Sequence, residues 1–200
     1  MARPSVPVLS VDKIAEAALA VVDSGGDLTM PGLASRLGVS ASSLYHHVSG
    51  KAGVVEAMRG RVFAGLRFVA EPGEAWDDAA RRLVRQYRDA FARHPRLIPM
   101  LTGHTVADPQ VLAMYGSLAA LLERAGFSGA DLLHAITLVD SFTIGSALDV
   151  AAPEDVWDVT ASDPVLRAAV EAAPSGVERA DEAFAFGLEA VLAGLRAVAP

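Results

Sequence analysis

The side chains best suited to chemistry are concentrated between Gly38 and Lys51, in the run GVSASSLYHHVSGK. Ser40, Ser42, Ser43, Tyr45, His46, His47, Ser49 and Lys51 are separated there only by small or apolar residues. Hydroxyls and imidazoles could serve a nucleophile–base pair, a metal site, or a hydrogen-bonding face for an outside partner. The first two lack parts. His46 and His47 are adjacent, so on a helix they point about 100° apart and make a poor two-histidine metal site. The chain has no cysteine, no HExxH, no GxSxG and no glycine-rich phosphate loop. His94 and His104 stand alone in sequence. Asp77 and Asp78 form an acidic pair, but they fall where the first turn of a helix favours negative charge. The hydrogen-bonding face is left, with a plain polar turn between two core helices as its rival.

The elements around this run decide between those two. Leu33 and Leu37 form one apolar ridge; Val39, Leu44 and Val48 form an opposing one. Ala34 is small where two helices must cross closely, and Gly38 sits at the sharp turn, where a positive φ is cheap only for glycine. This is the pattern of a helix-turn-helix. Its second helix should bury Leu44 and turn Ala41, Ser42, Ser43, Tyr45, His46 and His47 outward. Those residue types suit a DNA groove. Ser and His can donate to bases or phosphates, Ala41 can meet a thymine methyl, and Tyr45 can reach a phosphate. Lys51 opens the next helix, where its charge and the free N–H groups of the first turn both favour a phosphate.

Helical spacing runs along nearly the whole chain. Ile14, Ala17, Ala18, Val21 and Val22 mark a first helix, capped at Ser10 and closed by Gly25 and Gly26. Thr29 caps a second, with Pro31 in its first turn, and Ser40 caps a short third ending near His47. A fourth is expected from Lys51 to about Ala70, before the Pro72-Gly73 break. Further helices are expected over Glu74–Ala92, Arg96–Leu101, Asp108–Ala125, Gly129–Val150, Asp163–Ala173 and Val177–Ala197, with a loop at Ala152–Ser162. No convincing period-2 strand is present, so the fold class is all-α. The expected architecture is an N-terminal three-helix domain (residues 1–50), joined by a long helix to a larger helical domain (residues 51–200).

Composition sets outer bounds. The chain has 200 residues, of which 52% are hydrophobic, enough for one sizeable core or a small domain plus a larger one. Without cysteine, neither a disulfide framework nor a thiolate metal site can form. No run of 18 apolar residues and no secretory signal pattern is visible, so a cytoplasmic protein with no membrane partner is expected. The net charge is -7, unevenly spread: residues 1–67 sum to +2 and residues 68–200 to -9.

The run LASRLGVSASSLYHHVSGKAGVVEAM (33–58) resembles the DNA-binding region of TetR-type transcriptional repressors. DLLHAITLVDSFTIGSALD (131–149), DPVLRAAVEAA (163–173) and DEAFAFGLEAVLAGL (181–195) are similar to the late helices of the tetracycline-repressor subgroup. The resemblance implies a homodimeric regulator, not an enzyme. In that family a palindromic operator in double-stranded DNA is bound by the N-terminal domains and a small-molecule effector by the larger one. By position, Thr29, Ser40, Ala41, Ser42, Ser43, Tyr45, His46, His47 and Lys51 fall on or beside operator-contacting sites. Pro31 stands where the tetracycline repressor has a base-reading arginine, and His46 where it has a tryptophan, so the operator should differ. The two late helices imply a four-helix dimer seam, here with Phe142, Leu148, Phe184, Leu188, Val191 and Leu195.

The effector is expected to differ from tetracycline. By position the family's drug-binding histidine falls on Arg67, its asparagine on Leu83 and its metal histidine on Leu101 or Thr102. A hard cation needs oxygen or imidazole donors, and leucine has neither; no metal or other cofactor is expected. A pocket for a hydrophobic small molecule is expected from Phe63, Arg67, Leu83, Tyr87, Met100 and Leu101 on the earlier helices. His104, Met114, Leu118, Ile136, Asp140 and Thr143 complete it. Arg67 and Asp140 stand out, because an inward-facing charge costs free energy unless paired. Two rival readings are a regulator of the same kind that senses no ligand and, from another class, a helical enzyme without a recognisable motif.

Overall fold

The computed structural model describes residues 9–160 and 162–199. Ala161, inside the expected 152–162 loop, lies outside them. Among the described residues the chain is helical and carries no strand. The helices are α1 (Val11–Asp23), α2 (Met30–Leu37), α3 (Ala41–Tyr45), α4 (Gly50–Phe63) and α5 (Trp76–Ala92). They are followed by α6 (Ile98–Leu101), α7 (Pro109–Arg124), α8 (Gly129–Asp149), α9 (Pro164–Ala172) and α10 (Gly176–Val198). A 3₁₀ turn at Pro95–Leu97 leads into α6.

The starts of the first three helices follow from their caps. Ser10 accepts from the Lys13 N–H, Thr29 from Gly32 and Ser40 from Ser43, each hydroxyl satisfying an amide that the helix cannot. The fourth helix is shorter than its sequence suggests. It ends at Phe63 rather than near Ala70, and Gly65 follows with φ +83°, a backbone turn that β-carbon-bearing residues avoid.

The backbone gathers into two compact units. One holds the described residues up to Leu66 together with Arg96–Ala113. The other holds Arg67–Pro95 and everything described from Met114 onward. In the first unit α1 packs along α4 and against α2, around Ile14, Ala18, Leu33, Leu44, Val54 and Met58, each 4% exposed or less. Helix α4 thus shares a core with α1–α3, whereas the sequence division falls at residue 50.

In the second unit α5, α8 and α10 pack together around Leu83, Tyr87, Phe91, Val139, Ala147, Phe184, Leu188 and Leu192. Ion pairs tie α5 to α10: Arg88 to Asp181 at 2.6 Å, Arg81 to Glu189 at 2.6 Å, and Arg196 to Asp77. Positions rising along α5 meet positions falling along α10, so the two helices run antiparallel. The hydrogen bond from Arg196 is the main cause holding the Asp77 carboxyl below its usual range; Arg81 does the same for Glu189.

Four of the six residues assigned to a dimer seam belong instead to the chain's own packing. Phe184, Leu188 and Leu195 are buried, at 6%, 1% and 2% exposure. Phe142 stacks on Phe184 with ring centroids 5.7 Å apart, and its ring lies over Gly187, where an added Cβ would come within 2.5 Å of it. A helix with apolar residues on two faces has to commit one of them to its own core; Phe184, Leu188 and Leu195 are on that face of α10, and the half-buried Phe142 of α8 packs against it. Leu148 remains exposed and Val191 is half-buried.

Candidate functional sites

The turn between α2 and α3 is built by its backbone. Gly38 adopts φ +67° at the end of α2, donating its N–H to the Ser35 carbonyl at 3.1 Å, while Val39 donates to Ala34 at 3.0 Å. This pair of bonds is the Schellman ending, and it turns the chain sharply into α3. Leu44 is fully buried and Val48 nearly so, which pins α3 down by its inner face. Ser42, Tyr45, His46 and His47 are exposed on the other side, and Ala41 and Ser43 are half-buried at its rim. Tyr45, at 57% exposure, is a large side chain held out in solvent by a helix whose leucine is locked in the core.

Two further features extend this surface. Ser40, Ser42 and Ser43 hydroxyls share hydrogen bonds of 2.8 Å, so they form one connected polar edge at the start of α3. Lys51 and Thr29 are exposed, and Ser49 gives α4 no side-chain cap, leaving the amides of its first turn without that partner. Their partial positive charge adds to that of Lys51. The arrangement offers hydroxyl, phenol, imidazole and ammonium donors on the exposed side of α3 and at the start of α4.

A second constellation lies in the first unit, where α4 holds the loop before α7. Glu56 Oε1 accepts the N–H groups of Ala107 and Asp108 at 2.7 and 2.6 Å. The buried Arg59 donates to the carbonyls of Leu101 and His104, both at 3.4 Å, and pairs with Glu56 at 3.3 Å. Asp108 then caps α7 through the amides of Gln110 and Val111. Sequence reading missed Glu56 and Arg59; their i, i+3 spacing is the only signal for them, and it is common on any helix.

A third lies in the second unit. Tyr87 from α5 and Tyr115 from α7 both donate to Asp140 Oδ1 from α8, each at 2.6 Å. Tyr87 is buried and tilted against Phe91, with centroids 5.6 Å apart. Burial, with the charge of Asp140 beside it, pushes the Tyr87 phenol well above its ordinary value. Of the residues expected to line a pocket, Phe63, Leu83, Tyr87, Met114, Leu118 and Thr143 are buried, and Met100, Leu101, Ile136 and Asp140 half-buried. Thr143 spends its hydroxyl on the Val139 carbonyl at 2.6 Å. Arg67 and His104 do not fit the expectation. Both are exposed, because the early end of α4 leaves Arg67 on an open stretch and His104 follows α6 in a loop. Asp149, at the end of α8, pairs with Arg179 at 2.8 Å.

The family of the chain is settled by two matches. Residues 69–199 match the model of the tetracyclin repressor-like C-terminal domain, and residues 14–58 match that of the bacterial regulatory proteins of the tetR family. The chain belongs to the TetR family. An HTH-type transcriptional regulator from Saccharopolyspora erythraea is 35% identical over 153 residues. That match covers 76% of this chain and 63% of the relative, so the chain spans less than two thirds of the relative's length. The class D tetracycline repressor protein from Escherichia coli is 28% identical over 201 residues, covering 93% of this chain and 88% of the repressor. Among solved structures, a possible TetR family transcriptional regulator from Streptomyces coelicolor superposes with a TM-score of 0.78 at 26% identity. It covers 94% of this chain and 100% of its own.

Proposed function

We propose that this TetR-family chain is a homodimeric DNA-binding regulator, acting as a repressor that leaves a palindromic operator when a hydrophobic small molecule other than tetracycline binds. Residues 1–50 carry the operator-binding domain, and 51–200 the effector-binding and dimerisation domain. The observation that carries the reading is the division of α3, with Leu44 locked inside and Tyr45, His46, His47 and Ser42 outside. That division gives the second helix of a helix-turn-helix a free face for the major groove. Thr29, Ser40, Ala41, Ser43 and Lys51 surround it with groups suited to phosphates and base edges. The face holds no arginine for a bidentate guanine contact, so each residue adds no more than ~1–3 kcal/mol of base discrimination.

Dimerisation runs along the outer faces of α8 and α10. Leu133, Leu138 and Leu148 on α8 and Phe186 on α10 are exposed, Phe186 by 80%. Gly145 and Gly194 would meet nothing within 4 Å if given a Cβ, so their smallness serves no contact inside the chain. A second copy of the same faces is the occupant that would use both. Sedimentation of Phe186→Asp should show a shift from dimer toward monomer without loss of helicity.

Release follows from α4. Glu56 and Arg59 fasten this helix to residues 101–108, so a displacement of that loop pulls on the helix whose first turn carries Lys51. A coupling of ~1–3 kcal/mol would lower operator affinity 5–150-fold. The test is a gel shift against the DNA upstream of the protein's own gene, repeated with Tyr45→Ala and Lys51→Ala. Both variants should weaken binding while keeping the helical fold; unchanged shifts would remove α3 from the interface.

A further inference from the structure

Asp140 is held by two phenols and, among the described residues, by no cation. The buried and half-buried arginines of the second unit each have acidic partners: Arg88 has Asp181 and Asp89, Arg81 has Glu189 and Asp78, Arg82 has Glu74, and Arg179 has Asp149. Asp140 is half-buried on α8 and receives two phenolic protons on Oδ1, but no cation pairs with it among the described residues. Its second oxygen, Oδ2, accepts no bond from these residues, nor is it among the sealed polar atoms that lack a partner. Asp140 as a whole is only half-buried, so its side chain is not sealed from solvent.

Two phenols do not require a carboxylate. An amide carbonyl would accept both protons without the cost of holding a charge away from bulk water. A carboxylate earns its place when a cation completes it. The residues one turn away along the same helices, Leu83, Leu118, Ile136 and Thr143, are apolar or spend their polar group internally.

We propose that Asp140 anchors an organic ammonium group, so that the effector is a protonated amine on an apolar or aromatic body, with its N–H donors on Oδ2. This rests on the effector-sensing reading above and names its ligand class. Tyr87 and Tyr115 are positioning residues that hold Oδ1 and leave Oδ2 for the ligand.

The test is calorimetric titration of the full-length protein at pH 7 with 1-naphthylmethylamine and its neutral counterpart 1-naphthylmethanol. The amine should bind at least tenfold more tightly. Asp140→Asn should bring the amine down to the affinity of the alcohol while leaving the alcohol's unchanged, and Asp140→Glu should restore part of the preference. Equal affinities for the two probes, no amine binding, or a preference that survives in Asp140→Asn would overturn the proposal. The wild-type comparison decides by itself if Asp140→Asn does not fold. Gel shifts without any amine read the regulator proposal separately. A retained shift alongside no amine preference removes only the ammonium site, and a lost shift alongside a clear preference removes only the operator reading.

Discussion

The α2–α3 turn and the C-terminal helix α10 answer the same question differently. Both are amphipathic stretches whose inner and outer faces must be told apart. In the turn, polar residues mark the outside: Leu33, Leu44 and Val48 went in, and Ser42, Tyr45 and both histidines stayed out. In α10, apolar residues lie on both faces. Phe184, Leu188, Leu192 and Leu195 fill the chain's own core, while Phe186 projects 80% exposed from the opposite side. An outward face is legible when its chemistry differs from the core, and illegible when a second apolar surface imitates the first.

The sharpest way to test that contrast is at its buried end. Leu44→Ala should destabilise the chain by about 2–5 kcal/mol in denaturant unfolding, since it removes a fully enclosed side chain that fixes α3. A cost near that of an exposed substitution would mean α3 is not pinned by its inner face. Next in size, Tyr45→Ala should reduce operator affinity about tenfold, roughly 1.4 kcal/mol, with an unchanged melting temperature. A fall in stability with no change in DNA binding would reverse the assignment of the two faces of α3.

In α10 two glycines set up a comparison of their own. Gly187→Ala meets the Phe142 ring, which must swing off Phe184, so unfolding should become easier by about 1 kcal/mol even after the gain in helix propensity. Gly194→Ala meets nothing in its own chain, so helix propensity alone predicts a gain of about 0.8–1 kcal/mol in the single chain. A weakened dimer in analytical ultracentrifugation is the expected outcome, because the proposed seam passes that residue; an unaffected dimer would move the seam elsewhere.

The smallest effect concerns acid. Asp77 and Glu189 have carboxyls held below their ordinary values of 3.8 and 4.5 by arginines reaching across from the neighbouring helix. A depressed folded-state value means the unfolded chain binds protons first as pH falls. The stabilisation is therefore complete above about pH 5 and fades as pH drops through the folded-state values. A melting profile should stay flat from pH 7 to 5 and decline below it, and Arg81→Gln should shrink the decline slightly. Each pair keeps one partner about half exposed, which limits its worth, so a steep loss at pH 6 would point to other groups.

Much of the local architecture could be read from spacing. The caps at Ser10, Thr29 and Ser40, the turn at Gly38 and the burial of Leu44 follow from short-range rules that involve a few neighbouring residues. Arg67 failed because its orientation depends on where α4 stops, and a glycine with a positive φ stops it early. Tyr115 was missed because its only mark is a partner 25 residues away, and nothing in its own surroundings points to Asp140. Glu56 and Arg59 look like an ordinary surface pair until the loop that they hold is placed against them.

The sequence by itself determined the all-α class, the helix-turn-helix and the residues that crown it, because helix periodicity, capping hydroxyls and a left-handed glycine act over a single turn of chain. Only the tertiary structure decided which apolar face of α10 is core, which phenols meet on Asp140, and which carbonyls Arg59 holds. Those outcomes depend on distances between segments far apart in sequence, fixed jointly by packing, and no local pattern encodes them.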